Sequence, residues 1–451
     1  MTEPGTGVAT GPVVHFRTFG CKANQYDTER MRQELEARGA RTGSDSAAAD
    51  ICVVNTCTVT AQADAEARRY VRRVRRDNPS ARIVVAGCSA ALKARDYQSM
   101  GEVAAVVEGH DPSEVARSAA GGEGEGPGGL IQLRVGRSLE RMNREPVGGE
   151  LLQGRTGSAR GWLKIQDGCD RKCAFCATRL ARGASRSRPP DEVVAEARLQ
   201  ARRHPELVLT GIHIGHYGRD LDGEDTLGTL LARLIDAIPV VRFRLGSVEA
   251  TEVDGTLLDV LAGAPERVAP HLHMPLQSGA DPVLRRMQRW HTRAMYRDRA
   301  LEIAERLRTA TGGVLGLGAD IITGFPGETE DDHAATRELV KELPYTYAHV
   351  FPFSPREGTR AAELAEEMPV PQRVAGERSR ELREIVQAKG EAYRRARAGT
   401  RATVVLEGGG EYALTEDYLR VPVRGASFSD RSSLHQARLV EEGGEVIATR
   451  P

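Results

Sequence analysis

The chain has 451 residues; its 63 Lys plus Arg balance 63 Asp plus Glu, and 40% of it is hydrophobic. That length calls for two or three domains with real cores. Zero net charge excludes a globally basic nucleic-acid binder, so any RNA-facing surface has to be a local patch. No stretch approaches the ~18 consecutive apolar residues of a membrane span. The first residues, Met1 to Gly7, lack a positive region followed by an apolar run, so no signal segment is expected and the protein reads as cytoplasmic.

Residues 13–115 alternate strand and helix signals. Runs 13–16, 51–55 and 82–87 are apolar strands. A helix begins near Asp27, with Met31 and Leu35 on one face, and a second covers 61–76. Such alternation argues a parallel α/β sheet, taken here as a domain over 12–117. Residues 118–154 are rich in Gly and Glu, cannot bury a core and read as a flexible linker. Alternation returns over 155–392, the second domain. Strand runs at 207–211, 243–247, 272–274 and 319–324 each end in small or polar residues, and ligands in α/β folds gather at such carboxyl ends. Residues 372–398 form an Arg-rich helix. The third domain, 396–451, has short strands around the turn Gly408-Gly409-Gly410 and suggests a small β-barrel.

Seven cysteines in a reducing compartment read as metal ligands or catalysts rather than disulfides. Cys169, Cys173 and Cys176 occur as C-x₃-C-x₂-C, with Phe175 just before the last. Three thiolates so spaced can hold three irons of a 4Fe–4S cluster and leave the fourth open to a substrate. A zinc site is the competing reading, but zinc commonly takes two ligand pairs and only one C-x₂-C pair is present. Cys21 follows Gly20 at a strand end, Cys57 follows Asn55-Thr56, and Cys88 follows Gly87. Three cysteines at strand ends of one sheet can converge on a second metal site. Cys52 lies inside an apolar strand and reads as a small core residue.

The 169–176 loop resembles the cluster loop of the radical S-adenosylmethionine (SAM) enzymes. Together with Gly20 to Tyr26, Asn55 to Thr60, Gly87 to Ala90, Ala181 to Arg188, Leu209 to His213, Pro270 to Gly279 and Gly324 to Thr329, it resembles the radical SAM methylthiotransferases over nearly the whole chain. The resemblance implies an α/β fold: an N-terminal parallel-sheet domain, a central partial (β/α) barrel of radical SAM type, and a C-terminal β-barrel of TRAM type that binds RNA. It implies two 4Fe–4S clusters, one on Cys169, Cys173 and Cys176 that cleaves SAM, and one on Cys21, Cys57 and Cys88 that carries the sulfur. It implies SAM contacts from Phe175, Gly211, Ser247, Glu249, Gln277, Arg285 and Gly324, with Gly327 also allowing close backbone approach. It further implies a tRNA partner and an electron donor such as a flavodoxin or ferredoxin. No membrane partner is expected, and a monomer is.

Family members act mainly on tRNA beside the anticodon or on an aspartate of a ribosomal protein. Gly20-Cys21-Lys22-Ala23-Asn24-Gln25-Tyr26, and Tyr412 to Tyr418 in the tail, resemble the branch that converts N6-threonylcarbamoyladenosine to its 2-methylthio derivative. The alternatives are isopentenyladenosine in tRNA, the ribosomal-protein aspartate, and a non-catalytic iron–sulfur RNA-binding protein. One feature departs from an RNA-binding tail: residues 401–451 hold six Arg against eight Asp plus Glu. A basic face would have to come from the 372–398 helix or from the arginines of the 61–76 helix, which also reads as an ordinary solvated face. Arg182, Arg186 and Arg188 read as a solvated basic loop, with phosphate binding as the other reading. Tyr412 and Tyr418 read as base-stacking residues or barrel core, with core the expectation for one of them.

Overall fold

The computed structural model describes residues 11–121, 149–424 and 432–450, together with 147 and 430. By contacts the chain forms two compact units. The first comprises 1–145, 168–170 and 177–184; the second comprises the rest. Much of the segment expected to be a linker lies outside the described residues. The helix Pro112–Ala120 runs into its first three residues and is capped by the Asp111 carboxylate on the Ser113 and Glu114 N–H groups. Among the described residues, no helix is long and apolar enough to cross a membrane.

The first unit is built on a parallel sheet of β1 (Val13–Thr18), β2 (Arg41–Thr42), β3 (Ile51–Thr56), β4 (Arg82–Gly87) and β5 (Ala105–Val106), in the order β2-β1-β3-β4-β5. β3 is buried at every position, as a continuous apolar run in a sheet covered on both faces should be. Val54, Val71, Val74 and Ile83 pack on one side, and Val14, Met31, Val53 and Val84 on the other. The first helix is Lys22–Ala37, so it starts five residues before Asp27. An Asp followed by an apolar period looks like an N-cap. Here Asp27 is instead buried within the helix, and Cys21 in extended conformation starts it.

The second unit contains β6 (Arg160–Lys164), β7 (Gln166–Asp167), β8 (Arg186–Ser187), β9 (Glu206–Thr210), β10 (Arg242–Leu245), β11 (His271–His273), β12 (Gly316–Thr323) and β13 (Tyr347–Pro352). β6, β9 and β10 form one parallel sheet and β11, β12 and β13 another. Parallel bridges Phe243–Val268 and Ser247–His273 join them, giving six parallel strands in the order β6-β9-β10-β11-β12-β13. Helices between the strands bury one large core around Leu209, Leu231, Phe243, Leu272, Leu317 and Ile321. This is the expected partial (β/α) barrel.

The tail follows the helix Gln372–Ala396. It forms an antiparallel sheet of β14 (Arg401–Glu407), β15 (Tyr412–Thr415), β16 (Arg420–Pro422), β17 (His435–Glu442) and β18 (Glu445–Thr449), ordered β16-β15-β14-β17-β18. It curls until its edges meet at a Val423–Ala448 bridge. The curled sheet covers the amino-terminal ends of the barrel strands. Arg160 pairs with Glu407 at 2.6 Å, and Arg242 Nη1 donates to the Thr403 carbonyl at 2.6 Å. Arg244 donates to the carbonyls of Thr415 and Glu416, both at 3.0 Å. Tyr418 stacks on His271 with ring centroids 4.2 Å apart. One end of the barrel is therefore closed, and the strand ends that carry the motifs point away from the tail.

Candidate active site

In the first unit, β1, β3 and β4 are neighbours, so the residues that leave their carboxyl ends lie side by side: Cys21, Cys57 and Cys88. The motif residues around them make the tight turns possible. Gly20 has φ +99°, and a Cβ there would lie 2.6 Å from Cys57 Sγ. Gly87 has φ +100°, and its Cβ would fall 2.3 Å from Asn55 Oδ1. Only glycine meets both demands. Asn24 donates to the carbonyls of Phe19 and Thr56, each at 2.9 Å, while Asn55 donates to the Asn24 carbonyl at 2.9 Å. The Thr56 hydroxyl donates to the Ala86 carbonyl at 2.6 Å and accepts from the Ala90 N–H. The polar letters of the three motifs thus tie the three loops to one another.

Burial pushes the Cys88 thiol up to about 12, with Cys21 and Cys57 raising it further and Arg182 opposing. Burial also raises Cys57, with Cys21 adding to the effect. Cys21 and Cys57 therefore lie near enough to bear on the Cys88 thiol. Thiolate ligands need positive charge or N–H donors to be held. The Val59 N–H points at Cys57 Sγ at 3.4 Å, and Arg182 Nε at Cys88 Sγ at 3.3 Å. Three thiols at the ends of adjacent strands, with donors aimed at the sulfurs of Cys57 and Cys88, fit an iron–sulfur cluster with one open iron. Cys52 is different: it is buried in the β3 core, its thiol pushed up to about 11 by burial.

Arg182 corrects the expectation of a solvated basic loop. It belongs to the helix Thr178–Arg182, within the first unit, and is 2% exposed. Its Nη2 reaches Asn24 Oδ1 at 2.6 Å and Asp27 Oδ2 at 2.7 Å. Arg188, in the second unit, is fully buried and paired with Glu196 at 3.1 Å. Neither faces solvent, because each is consumed by a carboxylate the local sequence does not reveal.

In the second unit, Cys173 and Cys176 lie in the segment 171–176. The segment is pinned on both sides: the Ala174 N–H donates to the Met287 carbonyl at 2.9 Å, and the Ala174 carbonyl accepts from the Ala361 N–H at 2.8 Å. Burial raises the Cys173 thiol; Arg289 opposes this and Cys176 adds to it. Cys169 falls in the first unit, with its N–H on the Gly183 carbonyl at 3.0 Å. Phe175 is half-buried and packs against the group containing Met287, Phe325 and Phe353.

The expected SAM residues lie at the carboxyl ends of four successive barrel strands. Gly211 follows β9, Ser247 and Glu249 follow β10, Gln277 follows β11 and Gly324 follows β12. Gln166 Oε1 accepts from the Ile212 and His213 N–H groups at 3.0 and 2.7 Å, which fixes the loop after Gly211. Ser247 is exposed. Gln277 adopts φ +69°, a strained conformation for a residue with a Cβ, and is held there by backbone bonds to Asp320 and Ile322. Gly324 is needed for packing, since its Cβ would meet that of Ala375 at 2.3 Å. Gly327 is looser, with Met368 Sδ at 3.2 Å from a Cβ position.

Arg285 is exposed at the end of the helix Asp281–Arg286. The arginine that reaches the site is Arg289, one turn further on. Its Nη1 lies 3.4 Å from Cys173 Sγ and its Nη2 2.6 Å from Glu249 Oε2. Burial pushes the Glu249 carboxyl up to about 7, against the pull of Arg289. A second clamp was also hidden in the sequence. His213 and His216 stack at 3.9 Å, and their Nε2 atoms meet the Glu252 carboxylate at 2.7 and 3.0 Å. Arg171, from the cysteine segment, reaches the same carboxylate at 2.8 Å and lies 3.8 Å from the Trp290 ring centre. Glu252 thereby ties the cysteine segment to the β9 and β10 loops. His213 was visible as a motif letter, but its partner 39 residues on was not.

Residues 13–109 match the model of the Uncharacterized protein family UPF0004, and residues 163–340 that of the Radical SAM superfamily. The threonylcarbamoyladenosine tRNA methylthiotransferase MtaB of Rickettsia prowazekii is 33% identical, over 94% of this chain and 95% of the relative. The chain belongs to the radical SAM methylthiotransferase family. MtaB of Aquifex aeolicus is 33% identical, over 91% and 97% of the two chains. The tRNA-2-methylthio-N(6)-dimethylallyladenosine synthase of Roseobacter denitrificans is 32% identical, over 88% of each. Among solved structures, the radical SAM methyltransferase TsrM of Kitasatospora setae superposes with TM-score 0.56 at 16% identity, over 79% of this chain and 78% of that one, a likeness of fold. SAM and 4Fe–4S clusters are the cofactors of this methylthiotransferase family.

Proposed function

We propose that this protein is a tRNA methylthiotransferase that converts N6-threonylcarbamoyladenosine next to the anticodon to its 2-methylthio derivative. The observation that carries the reading is the second cysteine set. Cys21, Cys57 and Cys88 leave three adjacent strands of one sheet, which supports a second three-thiol centre in addition to the one a radical SAM enzyme needs. C2 of an adenine bears no acidic hydrogen, so acid–base chemistry cannot replace it. When bound, the clusters and SAM supply an electron, a 5′-deoxyadenosyl radical, a methyl group and sulfur.

The side chains do the rest. Cys169, Cys173 and Cys176 would hold the SAM-cleaving cluster, and Arg289 donates to Cys173 Sγ while pairing with Glu249. Gly211, Ser247, Glu249 and Gln277 line the strand ends where SAM binds, with Phe175 and Gly324 at the edge. Arg182 and the Val59 N–H direct positive charge at the sulfurs of Cys88 and Cys57. The nucleoside assignment rests on the relatives named MtaB and on the motif from Gly20 to Tyr26. The enzyme works in the cytoplasm as a monomer, with an electron donor such as a flavodoxin or ferredoxin.

Mass spectrometry of tRNA nucleosides from cells with and without the gene tests this. The 2-methylthio derivative of N6-threonylcarbamoyladenosine should vanish and its precursor rise. Loss of 2-methylthio-isopentenyladenosine alone would keep the chemistry and overturn the nucleoside. No change in any nucleoside would overturn tRNA as substrate.

A further inference from the structure

The arginines of the helix Gln372–Ala396 and of the tail divide into two sets. Arg378 pairs with Glu328 at 2.8 Å, and Arg397 with Glu416 and Asp417 at 2.8 and 2.9 Å. These are buried and hold the fold together. The same pairs, with Arg160 on Glu407, consume three of the tail's acids. The tail's excess of acid is therefore partly spent at its junction with the barrel, where it repels nothing outside.

A second set remains at the surface. Arg383, Gln387, Gly390 and Arg394 follow one another at helical spacing along one face. That face, the start of β13 and the segment Tyr418 to Arg420 enclose a cleft of about 510 Å³. Its volume suits a nucleotide-sized group. Three guanidinium groups line it, those of Arg383, Arg394 and Arg420, against one carboxylate, Glu391. Arg383 and Arg420 are exposed and Arg394 is half-buried. Arg383 is anchored on the Val350 carbonyl at 2.7 Å and Arg394 on the Arg420 carbonyl at 3.0 Å, while Arg420 lies over the Tyr412 ring at 3.5 Å with its Nε 3.6 Å from Glu407 Oε2. Arginine offers five N–H donors, so each keeps donors for a further partner. Gly390 holds the cleft tight, because a Cβ there would lie 2.7 Å from the Thr346 carbonyl oxygen. The wall is stiff as well. Tyr418 sits at φ +71° with its ring on His271, and Arg244 lies 5.3 Å from its centre.

We propose that this cleft between the Gln372–Ala396 helix and the curled tail sheet binds the phosphate backbone of the RNA substrate. Planar guanidinium groups fork onto phosphate oxygens. The acid-rich tail therefore grips RNA through a composite surface, two of whose three cations come from the preceding helix. This rests on the reading of the protein as a tRNA-modifying enzyme, and deepens it by locating where the polyanion is held.

The test uses the full-length protein and a fluorophore-labelled tRNA transcript, titrated across a salt series. Neutralising three phosphate contacts should lower the slope of log affinity against log salt by about 2–3. The combined variant Arg383→Gln, Arg394→Gln and Arg420→Gln should show that loss, with affinity down at least ~10-fold at low salt. Arg383→Lys, which keeps the charge, should retain the slope that Arg383→Gln lowers by about one. A combined Arg69→Gln, Arg72→Gln and Arg73→Gln variant of the Ala61–Asp77 helix serves as the comparison. Unchanged slope and affinity in the cleft variant, with thermal unfolding as in the wild type, would overturn the proposal. So would a loss of slope confined to the comparison variant. Methylthiolation by the wild-type protein of tRNA that bears N6-threonylcarbamoyladenosine is scored in parallel. Product formation with full RNA affinity in the cleft variant sinks only the cleft; no product but a lost salt slope sinks only the reaction.

Discussion

Arg182 and Asp27 stand 155 residues apart in sequence and 2.7 Å apart in the fold. Neither periodicity nor spacing reveals such a pair, so an arginine beside two others reads as a basic loop. Once buried, the pair has to stay whole, because removing one partner strands the other charge away from water. Arg182→Met should therefore destabilise the first unit by about 3–5 kcal/mol. Chemical denaturation followed through Cys88 thiol reactivity measures this, and a loss below ~1 kcal/mol would show that Asp27 is solvated. The six cysteines proposed as cluster ligands stand out in the sequence because their spacing and their place after strands are local features. Arg289, Arg171 and Glu252 were not, because their partners come from other strand ends.

Four of the six barrel strands, β9 to β12, were legible as elements, since each is an apolar run ending in small or polar residues. What fastens the tail to them was not. Glu206 begins β9, is fully buried, and meets Arg242 and Arg244 at 2.7 and 2.9 Å. Burial alone would raise its carboxyl, but Arg244 and Arg242 pull it down to about 2. The folded value thus lies below the ~4.3 of a free glutamate. A depressed carboxyl adds stability above its unfolded value and loses it as pH falls towards the folded one. The contribution should be full above about pH 5, amount to about 3 kcal/mol, and fade between pH 4.5 and about 2. Glu206→Gln should be destabilised at pH 7 and approach the wild type at pH 3, as judged by thermal unfolding at both. A gap that does not narrow would mean that charge is not what Glu206 supplies.

At the scale of the molecule, the barrel has two different ends. The tail sheet closes the amino-terminal ends through Arg160, Arg242, Arg244 and Tyr418, and the carboxyl ends carry the candidate SAM residues. Truncation after Arg397 should thus do more than weaken RNA binding: it should uncover Glu206 and its arginines and lower the unfolding temperature of the barrel. A truncated chain with unaltered unfolding would make the tail a detachable module. The order of architectures, parallel sheet, barrel and curled tail sheet, was legible because composition changes along the chain. The closing of the barrel by the tail was not, since it depends on arginine-to-carbonyl bonds that leave no pattern.

On the proposed function, the two cysteine sets do two jobs. The direct measurement reconstitutes Cys57→Ala and Cys173→Ala with iron, sulfide and reductant, then follows 5′-deoxyadenosine and methylthiolated nucleoside together. Cys57→Ala should still cleave SAM and transfer no methylthio group, while Cys173→Ala should do neither. Methylthio transfer by Cys57→Ala would contradict the account.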